Sequence, residues 1–238
     1  MIGRSKTFLF TAVLALVASA AAHGVPRLKP PTRFLDDDDR YRVAVAKIAE
    51  VTEGGRFRLS VVEELRGETP DGLIVRVLGG GDTGLEVGKT YILGHTDKPG
   101  RRSHRWSKDP EGPRFLGIAA VGNAIFADSP GMRALTRARS EEEPLGDRER
   151  LAAVLDVLET DDAKSQRFVT AELALDEELR GLVGDAELER LRAALASQRL
   201  DPVGHEYLLR AALPMIDSWG GDWLAASARE VAASHGAE

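Results

Sequence analysis

The feature that most constrains this chain is a stretch of alternating apolar and polar residues from Tyr41 to Gly67. Apolar residues recur at every second position on both sides of the pair Gly54-Gly55, which is the period of a β-strand with one buried face. They are Tyr41, Val43 and Val45 before the pair and Phe57, Leu59 and Val61 after it. Glycine adopts positive φ at little steric cost and therefore suits a tight turn between two strands. The stretch predicts an antiparallel hairpin, followed by further strands of its sheet or by helices.

More short strands are predicted between the hairpin and Asp128. The apolar runs Leu73–Leu78 and Thr90–Leu93 indicate a third and a fourth strand. Phe115–Ala119 and Asn123–Ala127 indicate a last hairpin. Five or six short strands separated by turns are typical of a small closed or half-open barrel, in which few edges stay exposed.

The N-terminus has the layout of a secretory signal peptide. Arg4 and Lys6 precede the apolar run Phe8–Val17, and small residues follow it. That run is too short for the hydrocarbon core of a bilayer, which takes about 20 residues. Residues 1–22 are therefore predicted to be removed by cleavage after Ala22 or, alternatively, after Ala20. We expect an exported protein, periplasmic, cell-surface or secreted, with no transmembrane helix in its mature form.

The charge balance and the absence of cysteine further restrict the kinds of protein that this chain can be. The chain has 32 Lys and Arg against 38 Asp and Glu, a formal net charge of −6, and the signal peptide contains two of the basic residues. This acidic balance argues against a nucleic-acid-binding protein. With no cysteine, an exported form must rely on its core instead of disulfides, and it has no lipid-anchoring cysteine. A bacterial envelope protein fits these properties.

Residues 23–40 are predicted to form an extended, solvated lead-in to the sheet. The segment contains Pro26, Pro30 and Pro31, and it ends in the aspartate run Asp36–Asp39. Four carboxylates could in principle bind calcium. Successive residues of an extended chain point to opposite sides, however, which argues against such a site.

After Asp128 the pattern becomes helical. Residues 129–146 are predicted to be a linker and residues 147–238 a helical domain, in which apolar residues recur at i, i+3, i+4 and i+7. Helix starts are predicted at Asp147, near Thr160-Asp161, at Asp185, at Asp201-Pro202 and at Asp222. The first, third and fifth starts recur at intervals of about 40 residues, as in HEAT-like repeats, with an irregular bundle as the alternative.

The glycine-rich stretch Gly79–Thr90 matches three catalytic motifs only in part. Its G-x-G-x-x-G pattern precedes a predicted strand, whereas a dinucleotide site needs a helix there. The phosphate-loop pattern around Gly88-Lys89-Thr90 has Thr83 in place of its first glycine. The triplet Asp82-Thr83-Gly84 resembles an aspartic-protease motif but lacks the second carboxylate that such a site requires. We interpret the stretch as a loop between two strands.

The histidines do not form a recognisable metal motif. His95, His104, His205 and His235 stand among charged residues and are predicted to lie on the surface. His205-Glu206 begins the zinc motif H-E-x-x-H, but Leu209 replaces its second histidine.

A basic patch with one aromatic residue lies in the polar segment before Phe115. It could bind an anionic polymer or a membrane headgroup, with a merely solvated loop as the alternative. The residues of this possible interaction surface are Arg101, Arg102, His104, Arg105 and Trp106.

His23 is a possible metal ligand. Cleavage after Ala22 would make it the N-terminal residue, whose amine and ring nitrogen together can chelate copper. His23-Gly24, followed by prolines and Arg33, resembles the start of bacterial lytic polysaccharide monooxygenases, which implies a copper site. The cysteines expected in that family are absent. An incidental histidine is the alternative, and no other cofactor is predicted.

The whole pattern resembles exported bacterial proteins of unknown function in which an OB-like β-barrel, as in tissue inhibitors of metalloproteases, precedes HEAT-like helices. The N-terminal cysteine by which those inhibitors chelate a protease metal is absent, so inhibition is not implied. The segments that carry the resemblance are Val43–Val51, Val62–Gly67, Leu85–Leu93 and Arg150–Leu173.

The sequence therefore predicts an α+β fold, with a small antiparallel OB-like β-barrel over residues 41–128 followed by a HEAT-like helical stack or bundle. The predicted function is that of a non-catalytic binding or scaffold protein of the bacterial envelope, with another exported protein or envelope component as partner. No G-x-S-x-G elbow or cysteine nucleophile points to an enzyme. The alternative is a copper-dependent enzyme or copper-binding protein that uses His23.

Overall fold

β-strands occupy the first half of the described chain and α-helices the second, apart from one helix that precedes the sheet. This computed structural model describes residues 28–36, 41–77, 83–97, 112–118, 121–137, 145–197 and 199–215. The strands are β1 (Arg42–Thr52), β2 (Arg56–Arg66), β3 (Ile74–Arg76), β4 (Thr90–Thr96), β5 (Arg114–Phe115), β6 (Gly117–Ile118), β7 (Gly122–Asn123) and β8 (Ile125–Ala127). The helices are α1 (Pro31–Asp36), α2 (Pro130–Arg137), α3 (Asp147–Leu158), α4 (Ala163–Leu175), α5 (Glu177–Arg180), α6 (Asp185–Ala196) and α7 (Pro202–Ala212), followed by a 3-10 turn at Leu213–Met215. The predicted α+β class is confirmed.

The predicted hairpin of β1 and β2 is confirmed. The two strands pair antiparallel, and the turn glycines Gly54 and Gly55 have φ of 78° and 68°. Other residues are strained in that region, which explains the glycine pair. The ladder shifts register at three points, and such bulges increase the local twist of a sheet.

The strand pairings run around a complete circuit. β2 pairs with β3, β3 with β5 in parallel, β5 with β4, and β4 with β1. If the register partners are followed from strand to strand, the circuit starts at Thr52, at one end of β1, and returns to β1 beside Arg42, at its other end. A barrel of tilted strands needs such a stagger in register in order to close. The pairing that completes the circuit extends over few residues, because β3 and β5 share the single pair Arg76↔Arg114. The sheet is therefore not a cleanly closed barrel.

Two apolar clusters lie on opposite faces of the sheet. Alternate residues of β4 divide between them, with Leu93 in the cluster formed by the strands alone and Ile92 in the larger one. The larger cluster continues into the helices, where it includes Leu155, Phe168, Leu191 and Leu208. The sheet and the helices thus share one apolar core, while the predicted domain boundaries stay a prediction.

Phe126 and Phe168 mark the junction of the sheet with the helices. Their rings lie 5.1 Å apart, edge to face, with both side chains buried. Large aromatic side chains contribute much of the apolar area that a core removes from water. β8 and α4 are therefore joined through the core.

Three helices begin where the sequence predicts. α3 begins at Asp147, α6 at Asp185 and α7 at Pro202, where the Asp201 carboxylate accepts a 2.8 Å hydrogen bond from the Gly204 backbone N–H. α4 begins slightly later than predicted, because Asp162 is its cap. The fifth start, Asp222, lies outside the described residues, and the HEAT-like arrangement stays a prediction.

The prediction of an extended lead-in was wrong at Pro31–Asp36, which is α1. Proline fits the first helical position, because its fixed φ is helical and the position needs no N–H donor. α2 likewise lies inside the segment predicted as a linker, and its Ser129-Pro130 start has the same sequence signal. The Ser129 hydroxyl accepts a 3.3 Å hydrogen bond from the Met132 backbone N–H. Among the described residues, no helix has the length and apolar character needed to cross a membrane.

Candidate functional site

Three charged side chains are buried together between α3, α4 and the start of α5. The exposed fractions of the Arg150, Glu172 and Asp176 side chains are 4%, 0% and 1%. Arg150 Nη2 donates to Glu172 Oε1 at 3.0 Å and to Asp176 Oδ2 at 2.7 Å. Its Nη1 donates to Asp147 at 3.1 Å, while Asp176 Oδ1 accepts from the Leu179 backbone N–H at 3.1 Å. We refer to Arg150, Glu172 and Asp176 as the charged clasp.

The clasp also holds α1. The Thr32 backbone N–H donates to Glu172 Oε2 at 2.9 Å, and the Thr32 hydroxyl donates to Glu172 Oε1. The first N–H groups of any helix lack intrahelical partners, and a nearby side chain usually accepts from them. Here the accepting carboxylate comes from a residue 140 positions away in the chain. Through Thr32, Glu172 therefore anchors α1 to the helical part.

Burial and hydrogen bonding act in opposite directions on the two clasp carboxylates. Burial raises the pKa of Glu172, although the hydrogen bonds from Thr32 and the charge of Arg150 act to lower it. Burial also acts to raise the pKa of Asp176, but the hydrogen bonds from Arg150 and Leu179 outweigh it and lower that pKa. Two carboxylates thus share one guanidinium. The arrangement holds helices together and holds a proton most readily at Glu172.

His95 forms a second buried polar contact, at the end of β4. Its Nε2 lies 3.0 Å from the Thr69 hydroxyl oxygen, and the Thr69 backbone N–H donates to Glu64 at 2.7 Å. Burial, followed by the charge of Arg42, lowers the pKa of His95 to about 4, while Asp97 acts in the opposite direction. The imidazole is therefore neutral at pH 7, and it contacts Thr69 as a neutral hydrogen-bonding group.

Three arginines are register partners on neighbouring strands. Arg56 on β2 lies opposite Arg76 on β3, and Arg76 lies opposite Arg114 on β5. Cross-strand partners share a face of the sheet, so the three form one line, which we call the arginine row. Arg56 is exposed, Arg76 half-buried and Arg114 only 7% exposed. Burial, and then the neighbouring charge of Arg76, lowers the pKa of Arg114.

Two of the histidine predictions were wrong. His95 and His205 are buried. His95 lies on the same strand face as Leu93. His205 lies on the buried side of α7, about one helical turn before Leu208. No group of three metal-ligating side chains occurs in the part of the chain that the structure describes.

The remaining predicted site residues lie outside the described residues. These are His23 and the basic patch Arg101, Arg102, His104, Arg105 and Trp106. The copper site and the interaction surface both stay predictions. The glycine-rich stretch is described only from Thr83 onward, where it leads into β4 as predicted and Lys89 pairs with Glu86 at 2.6 Å.

Sequence analysis missed the clasp, although a signal for it was present. Glu172 stands one helical turn after Phe168, and Arg150 stands one turn before Val154, so both occupy apolar stripes. A charged residue in such a stripe must be paired when it is buried. Its partner could not be named, because the pairing joins residues more than twenty positions apart.

Comparison with known proteins gives no match to this chain among protein-family models, curated proteins or solved structures. The resemblance to exported proteins with an OB-like barrel and HEAT-like helices stays a prediction. Any function must therefore be argued from the residues themselves.

Proposed function

We propose that this chain is an exported, non-catalytic protein of the bacterial envelope that binds another exported protein or envelope component. The observation that carries the proposal is the circuit of strand pairings, in which β1 pairs with both β2 and β4, and β3 lies parallel to β5. An OB-like barrel accounts for this order and stagger. Such barrels bind ligands on the face of their second and third strands and with the loops between strands one and two and between strands four and five.

The charge distribution also supports a binding surface that includes the β1–β2 turn and the β4–β5 connection. The connection from β4 to β5 includes the predicted basic patch, and residues 98–114 carry six Lys and Arg against two Asp and Glu. Arg56 follows the β1–β2 turn directly, and Arg114 begins β5. A locally basic surface on an acidic protein favours an anionic partner and speeds the encounter with it.

The helical part suits a supporting role in this proposal. α3 with α4, and α6 with α7, are two candidate helical pairs of a short HEAT-like stack, and the shared core joins them to the sheet. A sheet backed by packed helices provides a rigid support, and rigid binding surfaces lose less entropy when they bind.

The proposal is tested by cross-linking the full-length protein in its native envelope and identifying what co-purifies. Combined reversal of Arg101, Arg102 and Arg105 to glutamate should abolish capture of the partner, because it inverts the charge of the proposed surface. Reversal of Arg148, Arg199 and Arg210 in the helical half, whose side chains are 68%, 57% and 38% exposed, changes the net charge equally and should leave capture intact. Loss of capture only in the helical variant would transfer the binding surface to the helices. Substrate turnover by the purified mature protein would contradict the non-catalytic function.

A further inference from the structure

The connection between β2 and β3 is a short segment that is buried only near its centre. Residues 68–71 lie between Gly67 and Gly72, whose φ angles are 63° and 75°. The residues on either side of Thr69 are exposed, whereas Thr69 itself is 3% exposed. Small loop residues at both ends of a segment are common hinge positions. We call residues 68–71 the flap.

The flap contacts both the strand before it and a strand that is distant in the chain. On the side of β2, the Thr69 backbone N–H donates to Glu64 at 2.7 Å, and the Val61 backbone N–H donates to Asp71 at 2.9 Å. On the side of β4, the Thr69 hydroxyl oxygen lies 3.0 Å from His95 Nε2. We call this contact between Thr69 and His95 the latch, because it joins the flap to β4.

The surroundings of His95 suit a neutral ring and not a cation. Its side chain is 5% exposed, and its Nδ1 makes no hydrogen bond within the part of the chain that the structure describes. Its register partner on β1 is the cation Arg42, and its partner on β5 is the apolar Phe115. Both ring nitrogens of a protonated histidine are donors. Protonation would therefore bury a second positive charge near Arg42, with an Nδ1–H donor that has no acceptor there.

The other charged groups around His95 do not compensate for this cost. Asp97, directly after β4, acts to raise the pKa of His95, but burial and then the charge of Arg42 outweigh it and lower that pKa to about 4. Glu64 accepts from the Thr69 backbone instead of the ring. Arg114 is the register partner of Thr96, whose side chain points to the other face of β4. If the flap opened, the ring would reach water, where the pKa of histidine is about 6.5.

We propose that the flap is an acid-sensitive conformational device, in which protonation of His95 breaks the latch and releases residues 68–71 from β4. The closed form binds the proton more weakly than the open form. Its stability is therefore fully present above about pH 6.5 and is lost as the pH falls towards about 4. Each pH unit in this window favours opening by about tenfold, so the ratio of open to closed flap should rise about twentyfold from pH 7 to pH 5. The inference does not depend on the proposed binding function.

The first test is hydrogen exchange at the Thr69 backbone amide in the full-length mature chain, between pH 7 and pH 4. Rates are corrected for the intrinsic pH dependence of exchange, so that they report opening. His95→Gln keeps a hydrogen-bonding side chain but cannot be protonated in this range, and it should abolish the increase in opening. Glu64 is present in both proteins, so any effect of its own cancels in the comparison. His205→Gln is the matched control, because it removes a buried histidine of α7 and should keep the increase of the wild type.

The second test is an NMR titration of the His95 ring, which needs no variant of that residue. The pKa in the wild type should lie near about 4. Thr69→Val cannot form the latch and should raise this pKa towards its ordinary value, because the ring gains access to water. An increase in exchange that persists in His95→Gln would overturn the proposal, as would constant opening in the wild type from pH 7 to pH 5. An unchanged pKa of His95 in Thr69→Val would show that the flap does not control access to the ring, and would overturn it as well.

Discussion

Arg150 is the residue on which the charged clasp depends. It is the cation that Glu172 and Asp176 share, and all three side chains are almost completely buried. Burying charges costs free energy, and a good ion pair recovers it only while both partners are present. Loss of the cation should therefore cost more than loss of an exposed arginine on the same helix.

Arg150→Met should lower the free energy of unfolding at pH 7 by about 3–5 kcal/mol, because it leaves two buried carboxylates without a counter-charge. That is a large part of a typical stability of about 5–15 kcal/mol. Urea unfolding followed by circular dichroism measures the change. Arg148→Met, at a position 68% exposed on the same helix, is the control and should cost less than about 1 kcal/mol. Similar losses in both variants would contradict the importance of the clasp.

Glu172 gives a second prediction, through its raised pKa. When the folded-state pKa lies above the unfolded value, the folded protein binds the proton more tightly. The stability from this residue is then fully present below its ordinary pKa and is lost as the pH rises through the raised value. Asp176 has the opposite sign, because its pKa is lowered, and its contribution is lost as the pH falls.

Glu172→Gln keeps an oxygen that can accept from Thr32 but removes the titration. As the pH rises from about 4 to 8, the wild type should lose stability relative to this variant. Urea unfolding at several pH values, with both proteins in the same buffers, measures the difference. A difference that does not change with pH would show that the folded-state pKa of Glu172 is not raised.

At the scale of elements, α1 is held by contacts with the helical part that are distant in sequence. Its six residues are too few for a stable isolated helix in water. Thr32 donates twice to Glu172, and Leu35 belongs to the shared core. Docking of this helix therefore depends on a small number of specific contacts.

Thr32→Val preserves the shape of the side chain and removes its hydroxyl donor. We expect a loss of about 1–3 kcal/mol in the stability of the docked helix, because the buried Glu172 loses one hydrogen bond. Hydrogen exchange should show weaker protection in residues 32–36, while α4 keeps its protection. Arg33→Gln is the matched control, since the Arg33 guanidinium lies 3.4 Å from the Glu178 carboxylate and both side chains are exposed. Unchanged exchange in α1 after Thr32→Val would mean that Leu35 and the prolines dock the helix without this bond.

At the scale of the whole molecule, the shared core predicts that the sheet and the helices unfold together. Leu191 on α6 and Val43 on β1 belong to the same apolar cluster, and both are buried. Sequence analysis predicted a linker at residues 129–146 between a β-barrel domain and a helical domain. A continuous core instead favours one cooperative unit.

Leu191→Ala should lower the free energy of unfolding by about 2–5 kcal/mol, because it leaves a cavity in that core. The most protected amides of β1 should lose the same free energy of opening as those of α4, as measured by native-state hydrogen exchange. Val62→Ala, at a bulged position 61% exposed, is the control and should change stability by no more than about 0.5 kcal/mol. Full protection of β1 in Leu191→Ala would instead establish two independently unfolding domains.

The elements that could be predicted from the sequence are those whose signals lie within a few neighbouring residues. The hairpin followed from a period of two and from glycines suited to positive φ, and the starts of α3, α6 and α7 followed from nearby caps and apolar stripes. The same kind of signal was present at Ser129-Pro130 and was missed. Burial of His95 could also have been predicted, because the alternation of a strand places His95 on the same face as Leu93.

Contacts between residues distant in the chain could not be predicted from the sequence. Glu172 caps a helix 140 residues earlier in the chain, and the arginine row aligns three strands through their register. Periodicity states which side of an element is buried but carries no information about which other element covers it. That choice depends on the packing of the whole core, because shifting one strand or helix exchanges every contact along it.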